Sequence, residues 1–169
     1  PSKREEGANT PAGAPLGADV LFLSRIVDKG ETVIQRATLM QVKKHKGTNS
    51  GRGFSSTVGI DLKQCEDILK QPEHYYYPST TPPSPRPVLW VAPARLVRNL
   101  TQLHTSKSTV LAMQVRDASC SYADFFLHEL VGLWAGDEHE DIIAVANGDP
   151  RLGRTPRHII EIEVRRQSD

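Results

Sequence analysis

The sequence predicts an α+β domain: two antiparallel β-sheets, each followed by a helix packed to one side. Three observations predict it. β-Branched runs separated by turn signals begin at Val20. Each half of the chain ends in an amphipathic segment with a polar cap in front of it, and a proline-rich stretch, residues 73–87, stands between the halves. The same order of elements thus occurs over residues 20–72 and again over 88–136, a pseudo-two-fold internal repeat of architecture rather than of sequence.

Residues 1–19 are rich in Pro, Ala and Gly without an apolar run, and read as a disordered leader such as remains when a transit peptide is removed. VLFLSRIV, from Val20, is the first strand, and Asp28 to Gly30 supply a turn. ETVIQRATLMQVKK, Glu31 to Lys44, is the second strand, HKGTNSGRG the tip of a hairpin, and FSSTVGIDL, Phe54 to Leu62, the return. Asp61 then caps a helix with Gln64 three positions on, its apolar face formed by Cys65, Ile68 and Leu69, and Pro72 helps to end it. His74 to Pro87 holds prolines enough to be an irregular connector.

In the second half VLWVAPARLV, Val88 to Val97, is a strand interrupted at Pro93, and RNLTQLHT continues or pairs with it. SKS turns the chain and TVLAMQVRD, Thr109 to Asp117, is the return strand. Ser121 caps the second helix with Asp124 three positions on, and Tyr122, Phe125, Phe126, Leu130, Leu133 and Trp134 form its apolar stripe. Phe125, Phe126 and Trp134 belong to core or to a helix–helix interface. Residues 137–169 are a C-terminal extension in which IIAVANGDP and HIIEIEVRR could add an edge strand or hairpin.

The 169 residues suit one domain, residues 20–169, and 38% hydrophobic with 24% charged residues is a globular balance. No apolar run approaches the roughly 18 residues of a membrane span, so the expectation is a soluble protein with no membrane partner. A formal charge of +1 excludes strong whole-molecule attraction to nucleic acid; any such role must come from how charge is distributed. Cys65 and Cys120 show neither zinc spacing nor a CxxC pair and read as reduced thiols.

No HExxH, GxSxG, glycine-rich phosphate loop or Cys/His cluster is present, so the expectation is not an enzyme: no catalytic residue, metal ligand or cofactor is assigned. DEHED, Asp137 to Asp141, reads as a solvated helix-end loop before it reads as a weak cation site. Tyr75, Tyr76 and Tyr77 could stack on bases or cover the ends of the sheets.

The basic residues carry the functional expectation. On an extended second strand Arg36 and Lys44 share a face with Ile34 and Met40, and Lys43 shares the other with Gln35 and Gln41. Lys46 and Arg52 extend the charge into the hairpin tip, and Arg98 and Arg116 take comparable positions in the second half. If each sheet turns one face to solvent, these make a cationic surface that grips phosphates without reading bases. The plain alternative is that Lys43 to Lys46 keep a hairpin tip soluble and guard edge strands from pairing.

DKGETVIQRATLMQVKKHKGTNSGRGFSSTVGIDLKQCEDILK, HYYYPS and AMQVRDASCSYADFFLHELVGLWAG together resemble the Whirly fold of single-stranded nucleic-acid-binding proteins. Within that fold the chain is most similar to the kinetoplastid mitochondrial RNA-binding proteins, which bind guide RNA. The resemblance implies a heterotetramer, two copies each of this chain and a homologous Whirly-fold partner. Helices lie at its centre and sheets outside, in the mitochondrial matrix. It implies that guide RNA and other RNA lie on the sheets through phosphate contacts and anneal to pre-messenger RNA during RNA editing. Carried onto this chain, RNA contact falls to Arg36, Lys43, Lys44, Lys46, Arg52, Arg98, Lys107 and Arg116, and the oligomer interface to the helix from Tyr122 to Trp134. The lysine, glycine and alanine signature of the plant members is absent, the first strand reading KGETVIQRATL. The alternatives are a scaffold subunit of a mitochondrial ribonucleoprotein without annealing activity, or a Whirly-type single-stranded DNA binder.

Overall fold

The first strand, β1 (Val20–Asp28), and the second, β2 (Glu31–Gly47), form an antiparallel hairpin running from Val20 opposite Met40 to Asp28 opposite Glu31. The architecture is that of a computed structural model in which residues 18–47, 56–69, 75–80, 88–103, 109–149 and 158–166 are described. Lys29 and Gly30 close the hairpin with φ of 52° and 87°. Two successive left-handed residues are what a tight turn between right-twisted strands requires, and Gly30 adopts that conformation without a Cβ penalty. Between Ile26 and Val27 the register slips by one, leaving Val33 as the extra residue of a bulge.

β2 is long enough to serve several neighbours in turn. Its first part pairs with β1, Met40 to Lys44 pair in parallel with β4 (Tyr75–Thr80), and His45 to Gly47 pair with β3 (Ser56–Gly59). β4 continues to β5 (Val88–Pro93), β5 to β7 (Cys120–Ser121), and β3 to β6 (Thr109–Leu111). On the far side of β1 lies β8 (His158–Arg165), in parallel. The class is therefore mixed α+β, but not with every ladder antiparallel: β1–β8 and β2–β4 are parallel. Nor does each half build its own sheet, since β3 of the first half pairs with β6 of the second.

Three expectations are corrected. Residues 75–80 are a strand, not part of an irregular connector. Three consecutive tyrosines favour extended backbone, and the edge of β2 beyond Met40 offers a partner; Pro78 costs that ladder only one donor. Residues 94–103 are a helix, α2 (Ala94–Leu103), where strand was expected. Ala94, Val97 and Thr101 are its buried residues, a helical spacing that starts directly after Pro93. Residues 112–117 likewise form α3 (Ala112–Asp117), so the return strand is only Thr109–Leu111.

The cap of the first helix, α1 (Leu62–Leu69), is as expected in position: Asp61 Oδ1 accepts from the Lys63 N–H at 3.0 Å, and Cys65 and Ile68 are fully buried. Ser121 caps the short α4 (Tyr122–Asp124), its Oγ accepting from the Asp124 N–H at 3.1 Å and donating to the Asp124 carboxylate at 2.6 Å. α4 runs directly into a π-helical stretch, Phe125–Leu130. In the extension, IIAVA falls in a helix, α5 (Glu140–Ala146), and HIIEIEVR forms the edge strand.

Both faces of the sheet are covered where β2 runs through its middle. Ala37, Thr38, Leu39, Met40 and Gln41 are all at most 2% exposed, which alternation alone cannot produce unless something packs on each side. Leu21, Leu23, Ala37, Leu39 and Ala92 meet α1, α2 and α5 through Ile68, Val97 and Ile142 on one face. Phe22, Met40 and Val91 meet Phe125, Leu130 and Ala135 on the other. Each large side chain removed from water here contributes about 1.5–3 kcal/mol, well above what any surface charge on the same strands supplies.

Candidate functional site

The covered stretch of β2 ends at Gln41, and Lys43 is the next residue on the same face, half-buried rather than buried. Lys43 pairs with Pro78 of β4, and the β4–β5 pairs Tyr76–Ala92 and Ser79–Leu89 set Pro78 beside Trp90. Trp90 and Ala92 share a face, and Ala92 lies in the core that holds Leu39. Lys43 and Trp90 therefore stand on one face in one row, two strand spacings or about 10 Å apart. Above Trp90, from α3, comes Arg116, its guanidinium carbon 5.4 Å from the ring centroid. A cation held over an indole face is oriented by the ring quadrupole, so Arg116 is fixed in place while remaining exposed.

This row unites two of the basic residues expected to bind RNA, and adds Trp90, which sequence reasoning did not single out. Nothing in the spacing of Trp90 and Arg116 signals their contact, because α2 and β6 lie between them along the chain. Arg116 reaches the row from a helix, not from a second sheet as expected.

The other basic residues are placed differently. Arg36 does not stand on an open face: its guanidinium donates to Glu138 at 2.6 and 2.9 Å and to the Trp134 carbonyl at 3.5 Å. Arg98 lies on α2, half-buried, with its Nε buried and without a hydrogen-bond partner in the structure. The backbones of Lys44 and Lys46 continue β2, so both belong to the strand rather than to the tip. Arg52 and Lys107 lie outside the described residues.

The acidic segment has a structural task. Asp137 exchanges two backbone hydrogen bonds with Ala37, both 2.9 Å, extending the edge of β2 on the side away from β1. Gly136 makes that approach possible: its φ is +108°, and a Cβ there would lie 2.7 Å from Thr38 Oγ1. Asp137 Oδ1 accepts from the His139 N–H at 2.9 Å, and His139 Nδ1 accepts from the Asp141 N–H at 3.3 Å, capping α5. Among the described residues no group of three or more His, Cys, Asp or Glu side chains is arranged to hold a metal ion.

The aromatic stripe divides. Phe125, Leu130 and Leu133 are buried, and Tyr122 and Phe126 pack against that core with ring centroids 6.2 Å apart. Trp134 is 76% exposed and so is not core. The reason is Leu133, whose φ of 55° ends the helix: its N–H donates to Leu130 at 3.3 Å and that of Trp134 to Glu129 at 3.0 Å. This reversal turns Trp134 off the helical stripe. Leu127, 59% exposed, joins Trp134 as a large apolar side chain facing solvent.

Cys65 is buried; Cys120 is exposed as a residue, but its thiol is partly buried, 3.8 Å from the Val91 carbonyl. Burial, first of all, and then the Glu129 and Asp124 carboxylates push the Cys120 thiol up. No helix of the described residues is long and apolar enough to cross a membrane. In comparisons with known proteins, no family model, no curated protein and no solved structure matches the chain.

Proposed function

We propose that this chain is a sequence-tolerant RNA-binding subunit that holds single-stranded RNA through its phosphates. The observation that carries the reading is the row formed by Lys43, Trp90 and Arg116. It offers an exposed cation, Arg116, held on an aromatic platform, with a second, Lys43, two strand spacings from the platform's own strand position. Phosphate contact of this kind needs no catalytic group and leaves base edges free to pair with a second strand.

In its particular form, the proposal is that the RNA is guide RNA and that binding promotes its annealing to pre-messenger RNA in the mitochondrial matrix. The chain would act beside a homologous partner in a Whirly-like heterotetramer. The resemblance of residues 28–70, 74–79 and 112–136 to that family supports this form. The exposed Leu127 and Trp134, on the segment assigned to the oligomer interface, support it as well. Those same two side chains favour a second reading, a scaffold subunit that meets other proteins and does not anneal RNA.

The experiment is hybridisation of two complementary labelled RNAs with and without the chain, across a range of salt. Acceleration that fades as salt rises supports annealing. Absence of acceleration, alone and with a homologous partner chain, supports the scaffold.

A further inference from the structure

We propose that β8 pairs antiparallel with β8 of a second copy of this chain, joining two sheets into one across a two-fold axis at Glu163. Among the described strands β8 has a single neighbour, β1. The His158 N–H donates to Asp19 at 3.1 Å and the Arg166 N–H to Val27 at 3.2 Å, so even-numbered residues turn their backbone groups toward β1. Ile159, Glu161, Glu163 and Arg165 therefore turn theirs to the open side.

An open edge of this kind is ordinarily blunted by shortness, proline, a bulge or a charge placed in the way. HIIEIEVR has none of these guards: it is eight residues long, it lacks proline and glycine, and its pairing with β1 is in continuous register. Its carboxylates do not stand across the edge either. Glu161 and Glu163 reach back to Arg25 of β1 at 2.7 and 3.1 Å, and Glu163 also holds Arg165. Ile159, Ile160 and Val164 are 36–41% exposed.

A second copy is the occupant that the charges fit. In a two-fold antiparallel ladder centred on Glu163, Glu161 of each copy lies opposite Arg165 of the other, and Ile162 opposite Val164. Both opposite-charge pairs fall on outward-facing residues, where the two backbones exchange hydrogen bonds directly. The Glu163 carboxylates meet at the axis, each already held by Arg25 and Arg165 of its own chain. Moving the axis to Ile162 would instead set Glu161 against Glu163 twice, which like charges disfavour. Moving it to Val164 keeps opposite charges together but shortens the ladder. Ile160, Ile162 and Val164 share the other face, so the two copies bring their apolar stripes side by side.

Sedimentation equilibrium of the full chain in RNA-free buffer tests this. The expected result is a mass of two chains that falls toward one on dilution. Arg165→Pro removes an outward N–H without touching a bond to β1 and is expected to leave a monomer with an unchanged circular dichroism spectrum. Arg165→Glu sets a carboxylate opposite Glu161 and is expected to weaken pairing about tenfold. In a Cys120→Ser background, Glu163→Cys is expected to give disulfide-linked dimers under a mild oxidant, while Ile160→Cys, opposite Arg166, is not. A monomeric wild-type chain, an Arg165→Glu chain that dimerises undiminished, or linkage through position 160 in preference to 163 would overturn the proposal.

Discussion

The guanidinium of Arg116 lies 5.4 Å from the centre of the Trp90 ring, bringing a helix residue over the face of a strand. The contact fixes a cation without neutralising it, which a carboxylate partner would do. Arg36 shows the contrast: Glu138 holds it at 2.6 Å, so its charge is already answered.

Single-stranded RNA binding is expected to depend on Lys43 and Arg116, the two cations placed about Trp90, and hardly on Arg36, which Glu138 holds. Replacing each of the first two by Ala should lower the slope of logarithmic affinity against logarithmic salt by about one, equally across RNA sequences. Trp90→Leu should weaken binding by releasing Arg116 from its fixed position. Filter binding at several salt concentrations reads all three.

Arg36→Ala is expected to act on stability alone. The pair it forms with Glu138 is partly exposed, with side chains 28% and 61% accessible, so its loss should cost about 1 kcal/mol or less. Urea unfolding and RNA affinity measured on one preparation separate the two effects.

A larger cost is expected at Gly136. An alanine there must adopt φ of +108° and place its Cβ against Thr38 Oγ1 and the Ala37 carbonyl. The strain should exceed about 1 kcal/mol and loosen the Asp137–Ala37 bridge. A fall in the urea midpoint, with faster hydrogen exchange at the Ala37 amide, is the expected result.

Much of the first half was legible because its signals are local. Asp28 to Gly30 announced a turn and Asp61 a cap, as Ser121 announced one in the second half, and each lies where it was read. What sequence could not reveal is which strand meets which. Parallel pairing of β2 with β4 leaves no periodic mark on Tyr75 to Thr80, and the prolines around them argued for a loop. α2 was missed for another reason: ARLVRNLTQL mixes β-branched and polar residues, and its helical spacing emerges only once Ala94, Val97 and Thr101 are taken together. At the site, Lys43 was legible as a basic residue on a strand; the Trp90–Arg116 contact, made in space rather than along the chain, was not.

Thiol chemistry should distinguish the cysteines. Because burial raises the Cys120 pKa, less thiolate is present at pH 8 than for an unperturbed thiol, so alkylation should be slow, and Cys65 should react only on unfolding. In linkage terms the Cys120 proton is held more tightly in the folded chain. Its contribution to stability is present below the ordinary thiol value and lost as pH rises through the raised one. Timed alkylation with mass readout from pH 7 to 10 checks the order.

Glu163 has the opposite sign. The hydrogen bond from Arg165, with Arg165 and Arg25 as nearby charges, holds its carboxyl below the usual carboxylate range. The stability it contributes is present above about pH 4.5 and is lost as pH falls through the lowered value. Glu163→Gln should flatten that acid limb of a pH–stability curve.

The central claim, that Lys43 and Arg116 act together on RNA phosphates, is tested most directly by the salt dependence of binding in wild type and the Lys43→Ala, Arg116→Ala double variant. The predicted result is a steep wild-type slope that falls by about two in the double variant, with the same change for RNAs of unrelated sequence. A wild-type affinity independent of salt, or a slope unchanged in the double variant, would contradict it.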